Sequence, residues 1–198
     1  MKNKVLMGLA AIAMVAVLSS CGKLPQAEID STNAAIAAAQ AAEANVYLPA
    51  EFAALQDSMN AINAAIQEQE GKLFKKYTPI KEDLANTLAL ANQVTANVAV
   101  KKEEVKKEAE TLLNDIKTVL AENTKLIPKL PRGKEGAAVI EQMKADMTNL
   151  DASVAEAQGQ FDKGTYMDAL NKIKAAKEKA DALNAEIKEV LKKARIRF

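Results

Sequence analysis

Residues 166–190 read YMDALNKIKAAKEKADALNAEIKEV, and this stretch decides the fold. Its apolar positions fall at Tyr166, Leu170, Ile173, Ala176, Ala180, Leu183, Ile187 and Val190, in steps of three or four. That spacing returns side chains to one helical face at every turn, which predicts an amphipathic α-helix. Lys172, Lys174, Lys177, Glu178, Lys179, Glu186, Lys188 and Glu189 occupy the other positions and make a solvated face. Upstream, Ile140, Met143, Met147, Leu150, Val154, Ala157 and Phe161 repeat the same period. Only Asp162-Lys163-Gly164-Thr165 separates the two stretches, and so short a connection predicts an antiparallel helical hairpin.

Working outward, the clearest interruption is Pro128-Lys129-Leu130-Pro131-Arg132-Gly133-Lys134-Glu135-Gly136, with two prolines and two glycines in nine residues. Before it lies a long periodic run. Phe52, Leu55, Met59, Ile62, Ile66, Gln69, Leu73, Tyr77, Ile80, Leu84, Leu88 and Ala91 keep one face. Thr95, Val98, Lys102, Val105, Ala109, Leu112, Ile116, Val119 and Leu126 carry it on, with polar gaps at Lys102 and Asn123. Because the phase survives Gly71 and Pro79, the preferred reading is one helix over about 50–127, kinked at Pro79, with a short turn there as the alternative. A first helix, 26–47, has a weaker face at Ile29, Asn33, Ile36, Gln40, Glu43 and Tyr47 before Leu48-Pro49 ends it. Pro49 can also open the next helix, with Glu51 favourable in its first turn. The expected helices are thus 26–47, 50–127, 137–161 and 165–196, in one helical domain over residues 26–198. The fold class is all-α: an elongated antiparallel helical bundle of coiled-coil-like hairpins. Alanine is abundant, aromatics make up 4 % of the chain and tryptophan is absent, so close helix contact is favoured over a thick core. Narrow alanine faces also leave room for a homo-oligomer, a dimeric or trimeric coiled coil.

The N-terminus carries the most specific signal. Met1-Lys2-Asn3-Lys4 is basic, residues 5–18 give 14 positions without a charge, and Ser19 and Ser20 are small. This is the layout of a secretory signal peptide over residues 1–20. As a helix the run would span about 21 Å, short of the roughly 30 Å hydrocarbon core, so it makes a poor permanent transmembrane helix. Leu18-Ser19-Ser20-Cys21 resembles the lipobox of bacterial lipoproteins, and Cys21 is the single cysteine. The resemblance implies cleavage before Cys21, lipid attachment to its thiol and acylation of the new amino terminus, with residues 21–25 as a lipidated tether. Gly22 stands where some bacteria place an inner-membrane retention aspartate, which favours the outer membrane. The expected location is the periplasmic side of the cell envelope.

Two further resemblances concern architecture. Phe161-x-x-Gly164-x-Tyr166-x-x-Ala169 resembles the turn of tetratricopeptide-like and helical-hairpin lipoproteins, where Gly164 takes a left-handed dihedral, Tyr166 covers the turn and Ala169 permits close approach. No tandem repeat follows it. The mature chain as a whole resembles envelope lipoproteins made of long Ala/Lys/Glu-rich helices, and that resemblance supplies no activity.

Chemistry finds little purchase. Histidine is absent, so there is no imidazole base and no histidine metal ligand. Glu103, Glu104, Glu108 and Glu110 are interleaved with Lys101, Lys102, Lys106 and Lys107, a solvated charged face in which Glu103 and Lys107 have the favourable order. Met143 and Met147 belong to the core seam rather than to a soft-metal site. No catalytic, cofactor-binding or metal residue is assigned. Without Lys2 and Lys4 the chain has 25 basic and 26 acidic side chains, which speaks against a nucleic-acid partner. The expectation is a non-enzymatic, lipid-anchored structural or scaffold protein whose partners are the membrane and an envelope protein or peptidoglycan. The alternative is a binding or adaptor module for a protein, glycan or apolar ligand, with Asn33, Gln40, Glu43, Lys102 and Asn123 either lining a cleft or simply exposed.

Overall fold

The computed structural model describes residues 23–131 and 134–197, apart from the side chains of 134 and 135. Residues 1–22, and with them the predicted signal peptide, Cys21 and Gly22, lie outside the described residues. The described chain is all-α, a helical bundle with no strand among its residues. Its helices are α1 (Gln26–Ala41), the single-turn α2 (Ala44–Tyr47), α3 (Pro49–Glu70), α4 (Thr78–Leu126), α5 (Lys134–Asp162) and α6 (Tyr166–Lys193). A 3-10 turn, Ile127–Lys129, follows α4. Two compact units share the chain: the described residues up to Asn45 with Pro49–Thr95, and Val46–Leu48 with the described residues from Ala96 onward.

The first unit is built from α1, α3 and the start of α4. Pro49 opens α3, where its missing amide hydrogen costs nothing, and Glu51 sits in the first turn. The buried side chains of α3 are Phe52, Leu55, Met59, Ile62 and Ile66, the face its spacing predicts. Met59, Ile62 and Ile66 form one cluster with Tyr77, Ile80 and Leu84, against which Ile29, Ile36 and Ala65 pack. Glu28 pairs with Lys81 at 3.1 Å, and the Thr32 hydroxyl donates to the Leu84 carbonyl at 3.2 Å. Position therefore advances along α1 and α4 together, and these helices run parallel. α3 runs the other way, because its last buried residue, Ile66, shares a cluster with the first buried residues of α4.

Four expectations are corrected here. The 50–127 helix is two helices: residues 71–77 are non-helical, and Pro79 is the second residue of α4 rather than a kink. Turning back allows the six side chains of the cluster to be buried together, at roughly 1.5–3 kcal/mol for each large one. That outweighs the few helical hydrogen bonds lost in the turn, each worth about 1 kcal/mol net. Leu73, expected on the buried face, is 97 % exposed. In α1 the deepest residues are Thr32, Ala35 and Ala39, with Asn33 and Gln40 exposed. Small side chains let α1 approach closely, so its seam centres on alanine instead of isoleucine. The predicted 26–47 helix is also interrupted, at Glu43, whose φ is 72°.

The second unit contains the rest of α4 with α5 and α6. Glu108 pairs with Lys174 at 2.6 Å and Glu122 with Lys188 at 2.8 Å, so α4 and α6 run parallel. Lys172 pairs with Glu156, and Lys117 donates to Gln158 at 3.0 Å, which sets α5 antiparallel to both. Met143, Met147, Leu150, Val154 and Ala157 of α5 are buried, as their spacing predicts. So are Leu170, Ile173, Ala176, Ala180, Leu183 and Ile187 of α6, with Leu191 in place of Val190. On α4 the seam passes through Leu113, Leu120 and Asn123, while Leu112 and Val119 are half-buried. Asn123 is therefore a fully buried position and not a gap in the seam.

Candidate functional site

The lipid-attachment residue expected from the sequence, Cys21, lies outside the described residues, so the structure contributes the residues that follow it from Lys23 onward. Pro25 is buried, Leu24 is exposed at the head of α1, and Gln26 is the first helical residue. At the same end of the first unit stands the turn between α3 and α4. The Gln69 side chain accepts a hydrogen bond from the Lys76 amide at 3.0 Å, and the Lys72 amide donates to the Gln69 carbonyl at 3.1 Å. Together these close the turn and push its tip outward. The tip is Lys72-Leu73-Phe74-Lys75, with Leu73 97 % and Phe74 87 % exposed. Lys72 is bonded to Glu68 at 2.6 Å, and its ammonium, through that hydrogen bond, lowers the Glu68 carboxyl below the usual range. Sequence reasoning missed this tip because Leu73 keeps helical phase with Ile66 and Tyr77. The signal that marks it is Gly71 followed by three lysines within five residues.

The other singled-out residues fall into structural places. Met143 and Met147 are buried in the α5 seam. Tyr77 is in the hydrophobic cluster, and the buried Tyr47 lies beneath the Lys102 ammonium, 5.5 Å from its ring centroid. Glu103, Glu104, Glu108 and Glu110 are exposed; Glu104 pairs with Lys101 at 3.1 Å and Glu108 with Lys174. Among the described residues no group of three His, Cys, Asp or Glu side chains is placed to hold a metal ion. No helix of the described residues is long and apolar enough to cross a membrane.

Asn33 and Gln40 face solvent. Asn123 donates to the Ala180 carbonyl at 3.3 Å and accepts from Asn184 at 2.6 Å, and Asn184 also donates to Glu122 at 2.9 Å. These bonds satisfy a buried amide and lock the register of α4 against α6. The hydrogen bond from Lys188, followed by that from Asn184, holds the Glu122 carboxyl below its ordinary range. A groove of about 430 Å³ runs between α5 and α6, where Asp146, Asn149 and Ser153 face Lys179 and Glu186 over Leu150 and Leu183. Its charges are of mixed sign and do not converge on one point.

The turn between α5 and α6 has the expected construction. Gly164 has φ +83°, its amide donates to Phe161 at 3.0 Å, and the Thr165 amide reaches Gln160 at 3.1 Å. This six-to-one closure satisfies the last carbonyls of α5. The Phe161 and Tyr166 rings pack at 5.2 Å, and Ala169 is fully buried. No family model, curated protein or solved structure matches the chain.

Proposed function

We propose that the protein is a non-enzymatic, lipid-anchored scaffold of the bacterial cell envelope, held by Cys21 on the periplasmic side of the outer membrane. The observation that carries this reading is the lipobox-like Leu18-Ser19-Ser20-Cys21 placed five residues before the first residue of α1. A tether so short would hold the helical body against the bilayer instead of letting it range through the periplasm. The long helices would then offer surface to an envelope protein or to peptidoglycan. Two lipid chains or more give stable anchoring, whereas one gives marginal binding, so the inferred thiol and amine acylations suit a permanent anchor.

The test is fractionation of cells expressing the chain and its Cys21→Ala variant. The parent should sediment with outer membranes and yield an N-terminal peptide carrying fatty acid; the variant should lose both properties. A parent protein with a bare Cys21 would sink the reading. Crosslinking in intact cells should then join the anchored protein to an envelope component, and a freely diffusing protein would count against a scaffold. The elongated, hairpin-built form belongs to the same proposal. Small-angle scattering should give a radius of gyration well above the about 16 Å of a compact domain of this length. The adaptor reading draws on the α5–α6 groove, whose mixed charges suit a protein better than an apolar ligand.

A further inference from the structure

We propose that the tip Lys72-Leu73-Phe74-Lys75-Lys76 is a second membrane contact, inserting Leu73 and Phe74 among the headgroups of an anionic lipid surface. The inference rests on the lipid-anchor reading and deepens it. Three observations converge. First, Leu73 and Phe74 are the most exposed large apolar side chains of the described residues, and they stand adjacent on one tip. Second, the tip and the tether share one end of the first unit. Glu28 lies beside Lys81 and Thr32 beside Leu84, so the same register puts Pro25 beside Tyr77 and Thr78, where the turn ends. Gln26 lies five residue steps beyond Cys21, a reach of at most about 18 Å when fully extended. A lipid on Cys21 therefore brings the tip within reach of the bilayer that holds it. Leu24, exposed at the head of α1, adds an apolar side chain to this end.

Third, the charges fit. Lys72, Lys75 and Lys76 flank the apolar pair, and Lys23 stands at the tether. The acidic Glu68 and Glu70 are set back in the last turn of α3, and Glu68 is engaged by Lys72. Apolar side chains ringed by lysine are the composition that binds at an interface, with the rings and aliphatic groups below the headgroups and the ammonium groups among them. The Gln69–Lys76 bond presents the tip ready-formed, so little ordering is needed on contact. One lipid anchor leaves a body free to swivel; a second contact would fix which face looks outward.

The test uses the lipidated mature chain carrying Phe74→Cys, since the native thiol is occupied by lipid. A polarity-sensitive fluorophore is placed at position 74, and in a second preparation at Ala50→Cys, at the other end of α3. Both are reconstituted into phosphatidylcholine vesicles with and without phosphatidylglycerol. The label at 74 should shift to the blue and be quenched by lipid-borne quenchers, more strongly with phosphatidylglycerol, while the label at 50 reports water. Replacing Lys72, Lys75 and Lys76 by Gln should reduce the preference for anionic vesicles by about fivefold per lysine. Leu73→Ser should lower the inserted fraction about tenfold or more. Equal, water-like emission at both positions overturns the proposal. So does a shift that grows with protein-to-lipid ratio, which means contact between copies. A shift seen in whole envelopes but not in protein-free vesicles overturns it in favour of a protein partner. The mass of the N-terminal peptide reports the anchor separately. Should Cys21 be bare, the Phe74→Cys chain is labelled in a Cys21→Ala background and added to anionic vesicles from outside: a shift at 74 upholds the tip as a lipid contact, and its absence overturns it.

Discussion

Single residues show where a local rule is decisive. Gly164 holds φ +83°, a region that costs an ordinary L-residue about 1–2 kcal/mol. Gly164→Ala should therefore lower stability by that amount in urea titration, although nothing lies within 4 Å of the added methyl. Arg195 adopts φ 58° at the end of α6, with its amide bonded to Lys192 and that of Ile196 to Leu191. It is the arginine counterpart of the Gly164 turn, and Arg195→Gly should stabilise by about 0.5–1 kcal/mol. Asn123→Ala removes both a buried amide and the acceptor of Asn184, and should cost about 1–3 kcal/mol by the same measurement. The sequence reveals that Asn123 interrupts an apolar run. It does not reveal whether the interruption faces water or a partner amide, because that depends on Asn184, 61 residues away.

At the level of elements, periodicity served α3, α5 and α6 well. Their buried residues are almost those that spacing predicts, because each helix buries a face broad enough to be read from its large side chains. α1 shows the opposite case. Its seam is Thr32-Ala35-Ala39, and alanines recur on every face of this helix, so bulk gives no preference. The packing makes a test: Ala39→Leu, at a fully buried position, should destabilise by about 1–3 kcal/mol, whereas Asn33→Leu on the exposed face should leave thermal unfolding nearly unchanged. The α3–α4 turn was hidden for a related reason. Ile66 and Tyr77 are 11 residues apart, close to three full helical turns, so a turn and a continuous helix leave the same phase. Pro79 is compatible with both, as a first-turn proline or a kink. Leu73, one of the two apolar residues of the tip, therefore falls on the face that phase predicts to be buried, although it is exposed.

For the molecule, the two units obey the same electrostatic logic. Glu28–Lys81 joins α1 to α4, Glu122–Lys188 joins α4 to α6, and Glu156–Lys172 joins α5 to α6. Burial pushes the Glu28 carboxyl up, but a hydrogen bond to its own backbone amide and then Lys81 outweigh it and leave it lowered. The hydrogen bonds from Lys188 and Lys172 lower Glu122 and Glu156. A carboxylate lowered in the folded state stabilises above its unfolded value and loses that contribution as pH falls through the folded one. Thermal stability should therefore be flat through neutral pH and decline below about pH 4. The groups are largely solvent-facing, so the decline should be modest, and added salt at neutral pH should reproduce part of it.

By itself the sequence determined that the chain is helical, where its strongest punctuation falls, and which faces of three helices are apolar. It also supplies the Cys21 motif on which the proposed address depends. These are local properties, carried by spacing, by proline and glycine, and by a short ordered signal. Only the tertiary structure decided that α3 turns back before α4, that Asn123 is buried, and that α1 packs on alanine. It also decided that Leu73 and Phe74 stand exposed on the turn at the end of the first unit where α1 begins. Each of these depends on which distant side chains fill the other half of a contact, and helical phase is silent about that.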